Sequence, residues 1–75
     1  NAPVPAALDG ADVLAVRGAF AALGESDRLV VGLSVFGGYN SREIGAMMQM
    51  NPSTVRSRRK RALEQMASIL EGGVQ

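Results

Sequence analysis

A chain of 75 residues, with a net charge of +1 and an apolar fraction of 47%, holds one small folded domain and not two. It has no cysteine and no histidine, which excludes disulfides, zinc fingers, thiol nucleophiles and imidazole bases; no enzyme, metal or cofactor is expected. The longest apolar stretch, with Gly and Ser allowed, is residues 29–38 and is too short to span a bilayer, so no membrane insertion is expected, and the lack of cysteine fits a cytoplasmic protein.

The opening "NAPVPAAL" has two prolines and little polar character. Residues 1–10 read as a linker remnant or flexible leader. Asn1 stands where a complete chain would have Met, so a fragment of a longer protein is expected. Val13, Val16, Phe20 and Leu23 recur at roughly helical spacing and predict a first helix over 11–23, weakened by Gly18 and stopped by Gly24. Asp9 can cap that helix. Glu25, Ser26 and Asp27 suit the first turn of a second helix, with Leu29, Val30, Leu33 and Phe36 on its apolar side. Gly37 and Gly38 end it. Asn40 with Glu43 predicts a reciprocal cap on a short third helix. Its buried side is Ile44, Met47 and Met48. Gln49 and Met50 make the break. Asn51 then caps a fourth helix with Pro52 in its first turn, running to about Leu70. Val55, Ala62, Leu63, Met66, Ile69 and Leu70 form its inner side. Gly72 and Gly73 close it, and residues 72–75 read as a flexible tail. The result is an all-α, four-helix domain over 11–71.

Charge is uneven along this plan. Residues 1–50 hold three basic and five acidic side chains, whereas residues 51–75 hold five basic and two acidic. The basic cluster falls on the fourth helix. Gly45 is the small residue needed where the third and fourth helices cross, with Ile44, Met48, Met50 and Val55 around it. That spacing is a helix-turn-helix, whose second helix enters the DNA major groove. Free N–H groups and the positive dipole end of its first turn suit phosphate, and Thr54 adds a hydroxyl there. Arg56 can fork onto guanine, Ser57 can donate or accept, and Arg58, Arg59, Lys60 and Arg61 offer phosphate contacts.

The bland readings are distinct. A run of basic residues on a helix is often only a solvated face. Four methionines (Met47, Met48, Met50 and Met66) read as core fillers. Gly37 and Gly38 lack the Lys-Ser/Thr of a phosphate loop. Glu25 and Asp27 are explained by helix dipole rather than by catalysis. Tyr39 is expected as a lid over the core.

The segment "YNSREIGAMMQMNPSTVRSRRKRAL" resembles region 4 of bacterial σ70-family sigma factors, particularly the extracytoplasmic-function group. That pattern runs roughly Ser-Tyr-Arg-Glu-Ile-Ala, a break, then Thr-Val-Lys/Arg-Ser-Arg and Arg-Ala. Arg42-Glu43-Ile44 match it, Gly45 stands for the small Ala, Thr54-Val55-Arg56-Ser57-Arg58 match, and Arg61-Ala62-Leu63 match again. "LGESDRLVVGL" is similar to the family's Leu-Pro-Glu segment. The resemblance spans residues 11–71 and implies a winged-helix-like, region 4 type of fold. It also implies binding to the promoter −35 element, docking on the β-flap of RNA polymerase, and cover by an anti-sigma factor. The base-contacting candidates are then Arg56, Ser57, Lys60 and Arg61. The backbone-contacting candidates are Ser53, Thr54, Arg58 and Arg42. No small-molecule substrate is implied. Three positions depart from the pattern: Gly24 replaces Pro, Gln49 replaces Gly at the turn, and Arg59 replaces an apolar Leu. The stem of Arg59 is expected to lie along Met66 or Leu63. Two alternatives are the DNA-binding domain of a LuxR-type regulator and a sigma-like module that acts mainly by binding proteins.

Overall fold

The computed structural model describes residues 12–72. Within them the chain forms α1 (Val13–Ala21), α2 (Glu25–Val31), a π-helical turn (Gly32–Phe36), α3 (Ser41–Met48) and α4 (Pro52–Leu70). No strand is present among the described residues. The expected leader (residues 1–10), Asp9, Gly73 and most of the tail (residues 72–75) lie outside them.

α4 is the organising element, packed against α1, α2 and α3. Its first half buries Val55 with Val30 of α2 and Ile44 of α3, flanked by Leu33, Met48 and Met50. Its second half buries Ala62, Leu63 and Met66 with Ala19, Leu23 and Val31, flanked by Val16, Phe20, Ile69 and Leu70. α2 lies between these two aliphatic clusters. That is why adjacent Val30 and Val31 are both buried, one in each cluster. A single helical stripe through α2 is therefore the wrong expectation. Leu29 and Phe36 are exposed, and Phe36 meets Phe20 edge-on with centroids 5.7 Å apart. Likewise Val13 is 70% exposed, and Ala19 occupies the buried position on α1. Met47 is also exposed, so the methionine filler role holds for Met48, Met50 and Met66 only.

Local signals account for most boundaries. Asp12, not Asp9, caps α1, its Oδ1 accepting from Leu14 N at 3.4 Å. Arg28 donates to Leu23 O at 2.7 Å and Ala21 O at 3.4 Å, placing a cation on carbonyls at the C-terminal end of α1. Glu25 and Asp27 sit in the first turn of α2. After Val31 the ladder widens by one residue: Gly37 N donates to Gly32 O at 2.9 Å. Gly38 then turns the chain at φ +76°, a conformation that favours glycine. Tyr39 lies against Gly37 but is 43% exposed, too open for the expected lid.

The third helix carries its full reciprocal cap. Glu43 N donates to Asn40 Oδ1 and Asn40 N donates to Glu43 Oε1, both at 2.9 Å. At its other end Gln49 adopts φ 58°, ψ 48°, the left-handed region that side chains other than Gly, Asn and Asp rarely enter. Gln49→Gly is expected to stabilise the domain by about 1 kcal/mol, read as a higher denaturant midpoint at unchanged slope. A lower midpoint would show that Gln49 makes up for its backbone strain elsewhere.

Candidate nucleic-acid interface

α4 starts at Pro52, whose fixed φ suits the first helical position. Asn51 holds the N-cap backbone position at φ −64°, ψ 142°, but its side chain makes no capping hydrogen bond. This corrects the expected side-chain cap. The first carbonyl to be used is Asn51 O, which accepts from Val55 N at 3.0 Å. The N–H groups of Ser53 and Thr54 therefore have no partner among the described residues. They open outward at the positive end of a 19-residue helix, the arrangement that accepts a phosphate oxygen.

Beyond this first turn, the helical advance of about 100° per residue sorts the basic cluster into two groups. Ser53, Ser57 and Lys60 share the strip facing away from Val55 and Met66, with Arg56 and Arg61 on its two shoulders. All five are exposed, as are Thr54 and Arg42. Glu64 lies one turn further along the same strip and is also exposed. Its negative charge opposes phosphate and sets a limit to the cationic surface on that side.

Arg58 lies on one border of the buried stripe and Arg59 within it, between the directions of Met66 and Leu63, and both reach back into the domain. Arg58 Nη1 donates to Ser26 Oγ at 3.2 Å and stands 3.9 Å from Asp27 Oδ1. Arg58 and Asp27 are only 31% and 30% exposed, and Arg58 Nε is buried without a partner. Arg59 Nη1 donates to Ser34 Oγ of the π-helical turn at 3.4 Å. Its polar partner is thus a hydroxyl on that turn, where sequence reasoning expected only an apolar bed of Met66 or Leu63. Both partners are 25 to 32 residues away, so no local spacing announces them.

This geometry separates Arg58 from the exposed candidates. Arg58→Ala is expected to cost about 0.5–1 kcal/mol of stability, the scale of a partly exposed ion pair, and to leave the salt dependence of DNA binding unchanged. A slope shallower by about 0.9 in log K against log salt would instead show a phosphate contact.

The turn before α4 sets the angle of this surface to α3. Gly45 is buried, and its carbonyl accepts from Met50 N at 2.9 Å. A Cβ placed there would lie 2.6 Å from Met50 O. The small residue is required by the backbone of the turn itself, more than by a side chain of the facing helix. Ile44 and Val55 lock beneath it, both 0% exposed. α3, a tight turn and α4 thus present one outward helix face with four cations on or beside it: Arg42, Arg56, Lys60 and Arg61.

Residues 14–66 match the family described as Sigma-70, region 4. Searches of curated proteins and of solved structures gave no significant match. The matched segment runs from α1 into the last turns of α4 and includes α3, the turn and most of α4. That family is a DNA-binding one rather than a catalytic one, and its role is promoter −35 recognition within sigma factors. The chain belongs to the sigma-70 region 4 family.

Proposed function

We propose that the domain reads the −35 element for an alternative sigma factor of the extracytoplasmic-function group. Arg56, Ser57, Lys60 and Arg61 meet base edges, while Ser53, Thr54 and Arg42 hold the phosphate backbone. Arg58 is left out of the contact set because its guanidinium is engaged with Ser26 and Asp27. The observation that carries this reading is the exposure of those side chains around an open helix N-terminus, on a helix fixed from behind by Val55. Among the described residues no helix is long and apolar enough to cross a membrane. The domain works where the polymerase works, in the cytoplasm.

Protein partners belong to the same proposal. Leu29, Val35 and Phe36 are exposed, and Phe20, Leu29, Leu33 and Gly32 line a groove of about 440 Å³ beside Glu25 and Arg28. An apolar surface of this kind suits docking on the polymerase β-flap and cover by an anti-sigma factor. The test is selection of duplexes from a random pool by the parent sigma factor assembled with core polymerase. One short motif should be enriched, and it should vanish when α4 carries alanine at Arg56, Lys60 and Arg61 together. A pool that leaves selection no different from its input would defeat the proposal.

A further inference from the structure

Of the four outward cations, Arg56 alone is held. Its Nη1 donates to Ser41 Oγ at 3.3 Å, across 15 residues of sequence. Arg42, Lys60 and Arg61 have no hydrogen bond or ion pair of their side chains among the described residues. We infer that Ser41 is a positioning residue for promoter reading, its hydroxyl holding the Arg56 guanidinium where it meets a base edge. The inference rests on the base-reading role proposed for Arg56.

Both ends of the contact are anchored by the core. Ser41 is the first residue of α3, half-buried, and directly follows Asn40 of the reciprocal cap. α3 is pinned through Ile44, and Arg56 directly follows Val55; both core residues are 0% exposed. The two backbones are therefore fixed, and the freedom that remains lies in the Arg56 side chain. A free arginine loses much rotamer entropy when it is ordered on a base. A hydrogen bond already made in the unbound domain removes part of that loss. The donor count allows it: guanidinium has five N–H groups, Ser41 takes one, and a fork on guanine takes two.

Ser41 is also placed so that its loss is separable from folding. Its hydroxyl caps no helix; that role belongs to Asn40. Alanine at a first helical position keeps the fold, so Ser41→Ala should change recognition while thermal stability stays near wild type.

The experiment measures holoenzyme affinity for the duplex selected by wild type, for single-base variants of it, and for random duplex. It compares Ser41→Ala, Ser41→Thr, Arg56→Ala and the double variant. Ser41→Ala should weaken the selected duplex about three- to tenfold, the scale of one hydrogen bond, with no change on random duplex. The lost discrimination should fall on the base pairs that Arg56→Ala relaxes. Ser41→Thr, which keeps the hydroxyl, should restore it, and the double variant should be no worse than Arg56→Ala. Wild-type discrimination in Ser41→Ala, beside a clear effect of Arg56→Ala, would overturn the positioning role alone. So would an equal loss from Ser41→Ala in the Arg56→Ala background, which would make Ser41 an independent DNA contact. Unchanged base preference in Arg56→Ala would overturn the base-reading role and the positioning role with it.

Discussion

Replacing Arg56 by alanine is expected to flatten base preference at one or two base pairs of the −35 element. The expected cost is about 1–3 kcal/mol of discrimination, roughly five- to 150-fold, while affinity for random duplex changes little. The size follows from where the side chain stands. Its Cα is fixed beside fully buried Val55, and its guanidinium lies exposed on the shoulder of the outward strip. A planar fork there can meet the two acceptors of guanine, and nothing on the same turn replaces it. Arg56→Lys separates charge from geometry. Lysine keeps the positive charge for phosphate but cannot fork. It should retain affinity for random duplex and still lose most of the discrimination. Competition binding with base-substituted duplexes reads both quantities at once. Equal losses on selected and random duplex, for both variants, would reassign Arg56 to the phosphate backbone.

What the sequence made legible divides by distance along the chain. Most signals that act within about four residues were readable, although the cap residue of α1 and the side-chain cap of Asn51 were misread. The readable ones include the Asn40–Glu43 cap, Pro52 at the start of α4, the acidic first turn of α2 and the Gly37-Gly38 stop. Arrangements set by distant partners were not. Burial of both Val30 and Val31 depends on α2 lying between two clusters. The π-helical turn shifts register after Val31, so apolar spacing alone put Phe36 inside when it is 66% exposed. The pattern of eight basic residues in the chain marked α4, but it could not divide them. Arg58 and Arg59 turn inward only because Ser26 and Ser34 stand on other helical segments to receive them. The departure at Gly24 is benign for the same kind of reason. Its φ of −64° and the open space around it would admit the proline of the family pattern equally well.

Gly45 and the departure at Gln49 are one feature, and together they give the largest expected effect on folding. In the family pattern a small Ala precedes the break and Gly occupies the turn. This chain has the reverse, with Gly at 45 and a side chain at 49. Gly45→Ala carries two opposing terms. Alanine in a helix gains about 1 kcal/mol over glycine. Its Cβ, however, would stand 2.6 Å from Met50 O, with Pro52 N at 3.5 Å. Those are backbone atoms of the link into α4, so the clash cannot be relieved by turning a side chain. Forced packing of this kind costs about 1–3 kcal/mol. The steric term should win, with a net loss near 1 kcal/mol and a fall in Tm of about 4–8 °C. Relief requires the turn to move, and the left-handed Gln49 at φ 58° restricts that movement. Glycine at 49 frees it. Gly45→Ala should therefore cost less in a Gln49→Gly background than alone, a coupling of about 0.5 kcal/mol or more in a double-mutant cycle. Strict additivity would mean that the two positions adjust separately, and a higher Tm for Gly45→Ala alone would show that the turn yields without help from Gln49.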